Sequence, residues 1–171
     1  VSPTTATHVF SELDGRIPLI VNGGSCTHGI ESTIIAIHEN TISILRHGPV
    51  TAEELSTFAP LAPMDKNPMV PGSLKSHYAP RHPLFILEED TPVATPPSRC
   101  GFLAWQSEGS EYKKTIKLSE HLDLKEAAAH LYAAMRSLDD SDIELIVAEP
   151  VPETGIGKAI MDRLRKAAAR E

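Results

Sequence analysis

The chain has 171 residues, of which 41% are hydrophobic and 23% charged, and its formal net charge is −7. This composition is typical of a globular protein and argues against intrinsic disorder. The acidic balance predicts weak or no direct binding of nucleic acid, and no apolar run approaches the roughly 20 residues that span a bilayer.

The cysteines and histidines give no sign of a metal site or a disulfide framework. Cys26 and Cys100 have no CxxC spacing, and the eight histidines are scattered. We therefore predict no bound metal. No signal peptide is visible, and the cysteine usage favours a reduced, cytoplasmic setting.

The chain opens with a predicted helix. Apolar residues recur at helical spacing over 6–13, after a threonine cap, and residues 18–21 (PLIV) predict a short strand. The β-rich stretches 32–37 and 41–46 are separated by a short polar turn and predict a hairpin. Thr51, with Glu54 three positions later, predicts a second short helix that starts with a capping box.

The middle of the chain is rich in proline. Nine of the 14 prolines lie in residues 60–97. Proline lacks an N–H group and resists regular structure, so we predict a linker over residues 59–83. This linker also carries apolar and aromatic side chains, which indicates that it packs on another part of the protein.

Residues 84–171 alternate between strand and helix patterns. This order predicts a small three-layer, Rossmann-like α/β domain with parallel pairing. The predicted strands lie at 84–87, 101–105, 114–119 and 143–148, and the predicted helices follow Asp123 and cover 156–168.

Residues 154–159 (TGIGKA) follow the most apolar strand and open a helix. Such a turn can bind phosphate at the helix N-terminus. The dinucleotide fingerprint, however, needs a small residue where Ile160 stands. An incomplete glycine pattern more often lets a helix start close to its sheet, and we favour that interpretation.

Three further segments could carry chemistry. Residues 29–33 (GIEST) place a carboxylate and two hydroxyls where a glycine-rich loop enters a strand. This segment can present its hydroxyls and backbone N–H groups to a polar ligand, or it merely begins a strand. Arg46, at a strand end beside a glycine turn, can clamp a phosphate, although a solvated rim arginine is the commoner case. Tyr78 can stack on a base, close over a site or anchor the linker.

Taken together, these segments resemble the threonylcarbamoyl-AMP synthases. The similarity is to the longer type, in which a YrdC-like catalytic domain is followed by a linker and a small C-terminal α/β domain. The segments that carry it are 2–6 (SPTTA), 13–17 (LDGRI), 29–33 (GIEST), 44–46 (ILR), 71–72 (PG), 76–80 (SHYAP) and 155–165 (GIGKAIMDRLR).

The resemblance implies an enzyme that joins L-threonine, bicarbonate and ATP, with Mg²⁺, into threonylcarbamoyl-AMP for tRNA modification. It implies that Ser2 contacts ATP, that Ser32 contacts threonine and that Arg46 holds the nucleotide phosphates. His77 and Tyr78 would help to enclose the nucleotide. The resemblance identifies no catalytic acid or base, and it makes tRNA-modification proteins the expected partners.

The family's basic N-terminal half is missing, so the chain resembles a C-terminal fragment. Residues 1–58 would be an incomplete part of the catalytic domain, followed by the linker 59–83 and the C-terminal domain 84–171. We expect this polypeptide to be inactive alone, and we expect residues 3–58 to self-associate, swap or be partly disordered because an apolar face is uncovered.

Two other functions stay open. One is a non-catalytic module whose C-terminal domain binds a small ligand or RNA, with the first region as a docking arm. The other is an independent nucleotide-binding enzyme that uses residues 154–159, which the incomplete glycine pattern disfavours.

Overall fold

A computed structural model of the chain describes residues 1–63, 70–72, 78–87 and 93–169. The chain folds as a mixed α/β protein with one antiparallel hairpin and one parallel sheet. In chain order the elements are α1 (Ala6–Leu13), β1 (Ile34–His38), β2 (Thr41–Arg46), α2 (Ala52–Leu55), β3 (Leu84–Ile86), β4 (Cys100–Ala104), β5 (Lys114–Lys117), α3 (Leu124–Asp139), β6 (Leu145–Ala148) and α4 (Gly157–Ala168).

The first region, residues 1–58, contains the predicted hairpin. Strands β1 and β2 pair antiparallel, with His38 opposite Thr41. Glu39 and Asn40 both have positive φ, 45° and 64°, as the tightest hairpin turns require. The two predicted helices are also present, and Thr51 and Glu54 form the predicted capping box at α2.

The prediction of a strand at residues 18–21 is wrong. The segment has no regular structure, and Leu19 and Val21 are 74% and 83% exposed. A β-rich composition produces a strand only where a neighbouring strand completes its hydrogen bonds. Within the described part of the chain, no strand pairs with this segment.

The second region, which begins at residue 84, is built on four parallel strands in the order β3-β6-β4-β5. The parallel pairing is as predicted, and β5 lies at an edge. Asp123 caps α3 by accepting the backbone N–H groups of Lys125 and Glu126. The Glu126 carboxylate accepts a hydrogen bond from the Ser119 hydroxyl, so it does not complete a capping box with Asp123.

Both long helices lie on one face of this sheet. Leu131 of α3 and Ile160 of α4 share one core with Leu103 and Ile146 of the strands. The opposite face carries Phe102 and is covered by chain between strands, including Tyr112, whose ring stacks on that of Phe102 at 4.2 Å.

The predicted three-layer arrangement is therefore wrong for the described part of residues 84–171, in which one layer of helices packs on one sheet. The reason is that the described parts of the connections from β3 to β4 and from β4 to β5 contain no α-helix. They cover the second face with loops and one short 3₁₀ turn.

Exposed apolar side chains concentrate in the first region, in agreement with the expected uncovered face. In residues 1–58 they are Phe10, Ile17, Leu19, Val21, Ile35, Ile37, Val50 and Phe58. Leu61, in the predicted linker, and Leu122 are the other large apolar residues in the described ranges with this degree of exposure. Every helix within the described ranges is too short or too polar to cross a membrane.

Candidate functional site

Arg46 ends β2 and holds the segment that leads into β1. Its Nε donates to the Ser32 carbonyl at 2.9 Å, and its Nη2 lies 3.1 Å from the Ser32 hydroxyl. Its Nη1 donates to the carbonyl of Pro71 at 3.0 Å. The guanidinium thus joins two predicted binding residues and ties them to the proline-rich segment, while the Ser32 side chain stays exposed.

Tyr78 lies beside the same arginine. Gly72 has φ +83°, and a Cβ there would be 2.3 Å from the Tyr78 hydroxyl and 3.6 Å from Arg46 Cδ. Only glycine fits between them. Tyr78 is 6% exposed, which agrees with its interpretation as an anchor of the linker. His77, predicted with Tyr78, lies outside the described residues.

Ser2 reaches this site through Glu31. Its hydroxyl donates to Glu31 Oε1 at 2.6 Å. The same carboxylate accepts the Tyr132 hydroxyl of α3 at 3.0 Å and Arg163 Nε of α4 at 3.1 Å. Because Glu31 precedes Ser32, one carboxylate lies between the residue predicted for ATP and the residue predicted for threonine. We call Ser2, Glu31, Tyr132 and Arg163 the Glu31 cluster.

Glu31 is ionised in this setting. Burial raises the pKa of its carboxyl, but the Ser2 hydroxyl, a backbone N–H, the Arg163 charge and the Tyr132 hydroxyl together bring it below its usual value. Burial and the nearby Glu31 charge raise the pKa of Tyr132. Tyr132 therefore remains a neutral donor to a carboxylate near pH 7.

Sequence reasoning did not assign a site role to Glu31, Tyr132 or Arg163. One signal for Arg163 was available: it stands three residues after Ile160 and four before Ala167, on the apolar stripe of its helix. A cation on that stripe is buried unless the helix turns away, so a carboxylate partner could have been expected. No comparable pattern identifies Tyr132.

The glycine turn at residues 154–159 serves packing. A Cβ at Gly157 would lie 1.9 Å from the Pro152 carbonyl oxygen, so glycine lets α4 start against the preceding loop. This geometry agrees with the favoured interpretation. A cavity of about 790 Å³ adjoins this turn at Ile156, but none of the described residues predicted for binding lines it.

The chemistry available beside Arg46 is polar and cationic. The exposed Ser32 hydroxyl and the Arg46 guanidinium suit a ligand with carboxylate or phosphate groups. No cluster of three or more His, Cys, Asp or Glu side chains with metal-binding geometry occurs among the residues that the structure describes.

Two family models match the chain. Residues 50–169 match the family model described as "Threonylcarbamoyl-AMP synthase, C-terminal domain". Residues 1–48 match a model described as "Telomere recombination".

Curated relatives match nearly the whole chain. Threonylcarbamoyl-AMP synthase of Bacillus subtilis is 36% identical over 184 residues, which cover 98% of this chain and 53% of that protein. The Pyrococcus abyssi enzyme of the same name is 30% identical, covering 97% and 54%. The chain thus spans about half the length of the curated relatives it matches.

A solved structure has the same fold. The crystal structure of Pyrococcus abyssi Sua5 complexed with L-threonine superimposes with a TM-score of 0.76 at 27% identity, covering 98% of this chain and 54% of that one.

Proposed function

The chain belongs to the threonylcarbamoyl-AMP synthase family, and from this premise we propose that it is part of an enzyme that forms L-threonylcarbamoyl-AMP from L-threonine, bicarbonate and ATP. Relatives that carry this name support the proposal, as does a structural neighbour with bound L-threonine. The product would supply the threonylcarbamoyl group for tRNA modification, in the cytoplasm and together with tRNA-modification proteins.

The observation that carries the proposal is the convergence on Arg46. Its guanidinium donates to Ser32 and to Pro71, and the Tyr78 hydroxyl lies next to it across Gly72. In the proposed enzyme Ser32 contacts threonine, Arg46 and Ser2 contact the nucleotide, and residues 59–83 are a linker between the catalytic region and a Rossmann-like domain. Tyr78 and His77 would enclose the nucleotide.

The proposed reaction proceeds in two steps. The threonine amine attacks the bicarbonate carbon, water leaves, and a carbamate forms. A carbamate oxygen then attacks the α-phosphorus of ATP, and pyrophosphate leaves. Mg²⁺ would enter as the ATP complex and neutralise phosphate charge.

The protein's contribution is positioning and charge stabilisation. The Arg46 guanidinium is always charged, so it can offset negative charge that moves onto the leaving group. The Ser32 hydroxyl is exposed beside it and can hold the threonine amine within reach of the bicarbonate carbon.

Pyrophosphate release with L-threonine, bicarbonate and Mg²⁺–ATP tests this function. Two proteins are compared: residues 1–171 alone, and an extended chain in which Val1 is joined to the N-terminal half of the Bacillus subtilis relative. We propose that the first is inactive and the second active, and that Arg46→Ala lowers the rate of the extended chain at least tenfold. Arg99→Ala is the control, because Arg99 precedes β4 and pairs with Glu144, which precedes β6.

Each outcome bears on a different part of the proposal. A measurable rate from residues 1–171 alone overturns the proposed inactivity. An inactive extended chain overturns the synthase assignment. RNA or small-ligand binding by residues 1–171 that survives Arg46→Ala would support the alternative, a non-catalytic binding module.

A further inference from the structure

Arg163 is fully buried and contacts the first region of the chain from the last helix. Its side chain is 0% exposed. Nε donates to Glu31 at 3.1 Å, and Nη1 donates to Asp162 at 2.8 Å. Its Cζ lies 5.6 Å from the centre of the Tyr78 ring, within cation–π range. One side chain therefore touches both the segment before Ser32 and the proline-rich linker.

Stability alone is a poor reason to keep this arginine. Removing a guanidinium from water is costly, and replacing a buried ion pair with apolar side chains is often neutral or stabilising. Nη2 of Arg163 is buried without a hydrogen-bond partner within the described part of the chain, which adds to the cost. A methionine would fill similar space on the apolar stripe of α4. A role in fixing the position of Glu31 explains the buried charge of Arg163 better than stability does.

The segment 29–33 is held from three sides. Gly29 packs on the α3 backbone so closely that a Cβ would lie 2.3 Å from the Ala129 carbonyl oxygen. Glu31 is bound by Tyr132 and Arg163, and Ser32 by Arg46. If the Arg163 contact is removed, the carboxylate keeps neutral donors but loses its ionic partner.

We propose that Arg163 is a positioning residue that fixes the Glu31 carboxylate and, through it, Ser32, so that binding of L-threonine depends on a residue of α4. This inference rests on the proposed function for the identity of the ligand. The positioning itself does not, and it can be measured without any activity.

The first test is NMR of residues 1–171. Arg163→Met and Glu31→Gln should each shift or broaden the Ser32 and Thr33 amide signals. Combining them should add little to either change, because both break one interaction. Arg165→Met is the matched control, because Arg165 pairs with Glu153 on the exposed side of the same helix, and it should leave these signals in place. Unchanged Ser32 and Thr33 signals in folded Arg163→Met would overturn the proposal. Should that variant not fold, Glu31→Gln decides by the same signals.

The second test separates positioning from general damage in the extended chain. Arg163→Met should raise the KM for threonine about tenfold while kcat and the KM for ATP change less than threefold. Arg163→Lys restores a charge with similar side-chain volume, so it should recover at least half of that change on a logarithmic scale. If Arg163→Met and Arg163→Lys have equal effects, or if the KM values for threonine and ATP change equally, Arg163 has only a structural role.

The two proposals fail in different ways. If the wild-type extended chain releases no pyrophosphate, the proposed function fails and the NMR result still decides the positioning role. If the wild type is active and Arg163→Met has the same KM for threonine, the positioning role fails alone.

Discussion

Glu149, immediately after β6, accepts the backbone N–H of Trp105, immediately after β4, at 2.7 Å. The same oxygen accepts the next two N–H groups, from Gln106 and Ser107, at 3.0 and 3.1 Å. Strands β4 and β6 are neighbours. One carboxylate therefore fixes the chain that follows β4 to the chain that follows β6, at the end of the parallel sheet where both strands finish.

Replacing Glu149 should destabilise the protein markedly. Glu149→Ala leaves three N–H groups without their acceptor, and we expect a loss of about 2–3 kcal/mol in the free energy of unfolding, measured with urea at pH 7. Glu144→Gln is the control, because its carboxylate is half-exposed and pairs with Arg99. It should change stability by less than about 0.5 kcal/mol. Similar losses for both variants would contradict the role given to Glu149.

The same contact predicts a pH dependence. Burial raises the pKa of Glu149, but the Ser107, Trp105 and Gln106 donors bring it below its usual value. Its stabilisation is therefore complete above the unfolded-state pKa, near 4.3, and is lost as pH falls through the lower folded-state pKa. Glu149→Gln should flatten the fall in stability between about pH 5 and pH 3. An unchanged slope would show that other carboxyl groups account for it.

Asp139 should control access to the end of the linker. It lies in the last turn of α3, where an acidic residue opposes the helix dipole, and it accepts the backbone N–H groups of Arg81 and His82 at 3.0 and 2.8 Å. Asp139→Asn should speed proteolytic cleavage between residues 78 and 87 at least threefold. Asp142→Asn, which alters a fully exposed side chain, should not. Equal cleavage rates would mean that the linker end is held by other contacts.

Gly29 should be irreplaceable where it meets α3. It has φ +68°, and its Cβ would lie 2.5 Å from the Ala128 carbonyl oxygen. Gly29→Ala must therefore strain the backbone and separate the segment from the helix, and we expect a loss of more than about 2 kcal/mol by thermal or urea unfolding. Gly15 has a similar φ of +73°, but no atom lies within 4 Å of its Cβ position. Gly15→Ala should therefore lower the free energy of unfolding by only about 1 kcal/mol.

The exposed apolar face should make the chain associate. Ile37 and Phe58 are 72% and 83% exposed, so the double substitution Ile37→Thr and Phe58→Ser should lower the mass observed by light scattering at equal concentration. Leu122→Ser, on the second region, is the control and should leave the mass unchanged. A monomeric wild type would contradict the predicted self-association.

The elements that depend on local patterns could be predicted from the sequence. The hairpin followed from β-rich strands around Glu39 and Asn40, and α3 followed from its stripe and the Asp123 cap. The strand at 18–21 and the three-layer arrangement were wrong because pairing partners and the covered face of a sheet are not encoded nearby.

Part of the candidate site could be predicted from the sequence for the same reason. Arg46 ends β2, and Ser32 lies just before β1 at the same end of one hairpin, so a motif could associate them. Glu31 receives Tyr132 and Arg163 from 101 and 132 residues away, and their meeting depends on how α3 and α4 pack. Long-range packing of this kind leaves only a weak trace in one sequence.

That separation also sets an order of events during synthesis. At a translation rate of about 5–20 residues per second, the ribosome needs roughly 7–26 s to add the residues between Glu31 and Arg163. Until then Glu31 lacks its cation and the segment before Ser32 lacks its last support. A nascent chain stopped before α4 would therefore contain the hairpin that ends at Arg46, while the segment that carries Ser32 still lacks its contact with α4.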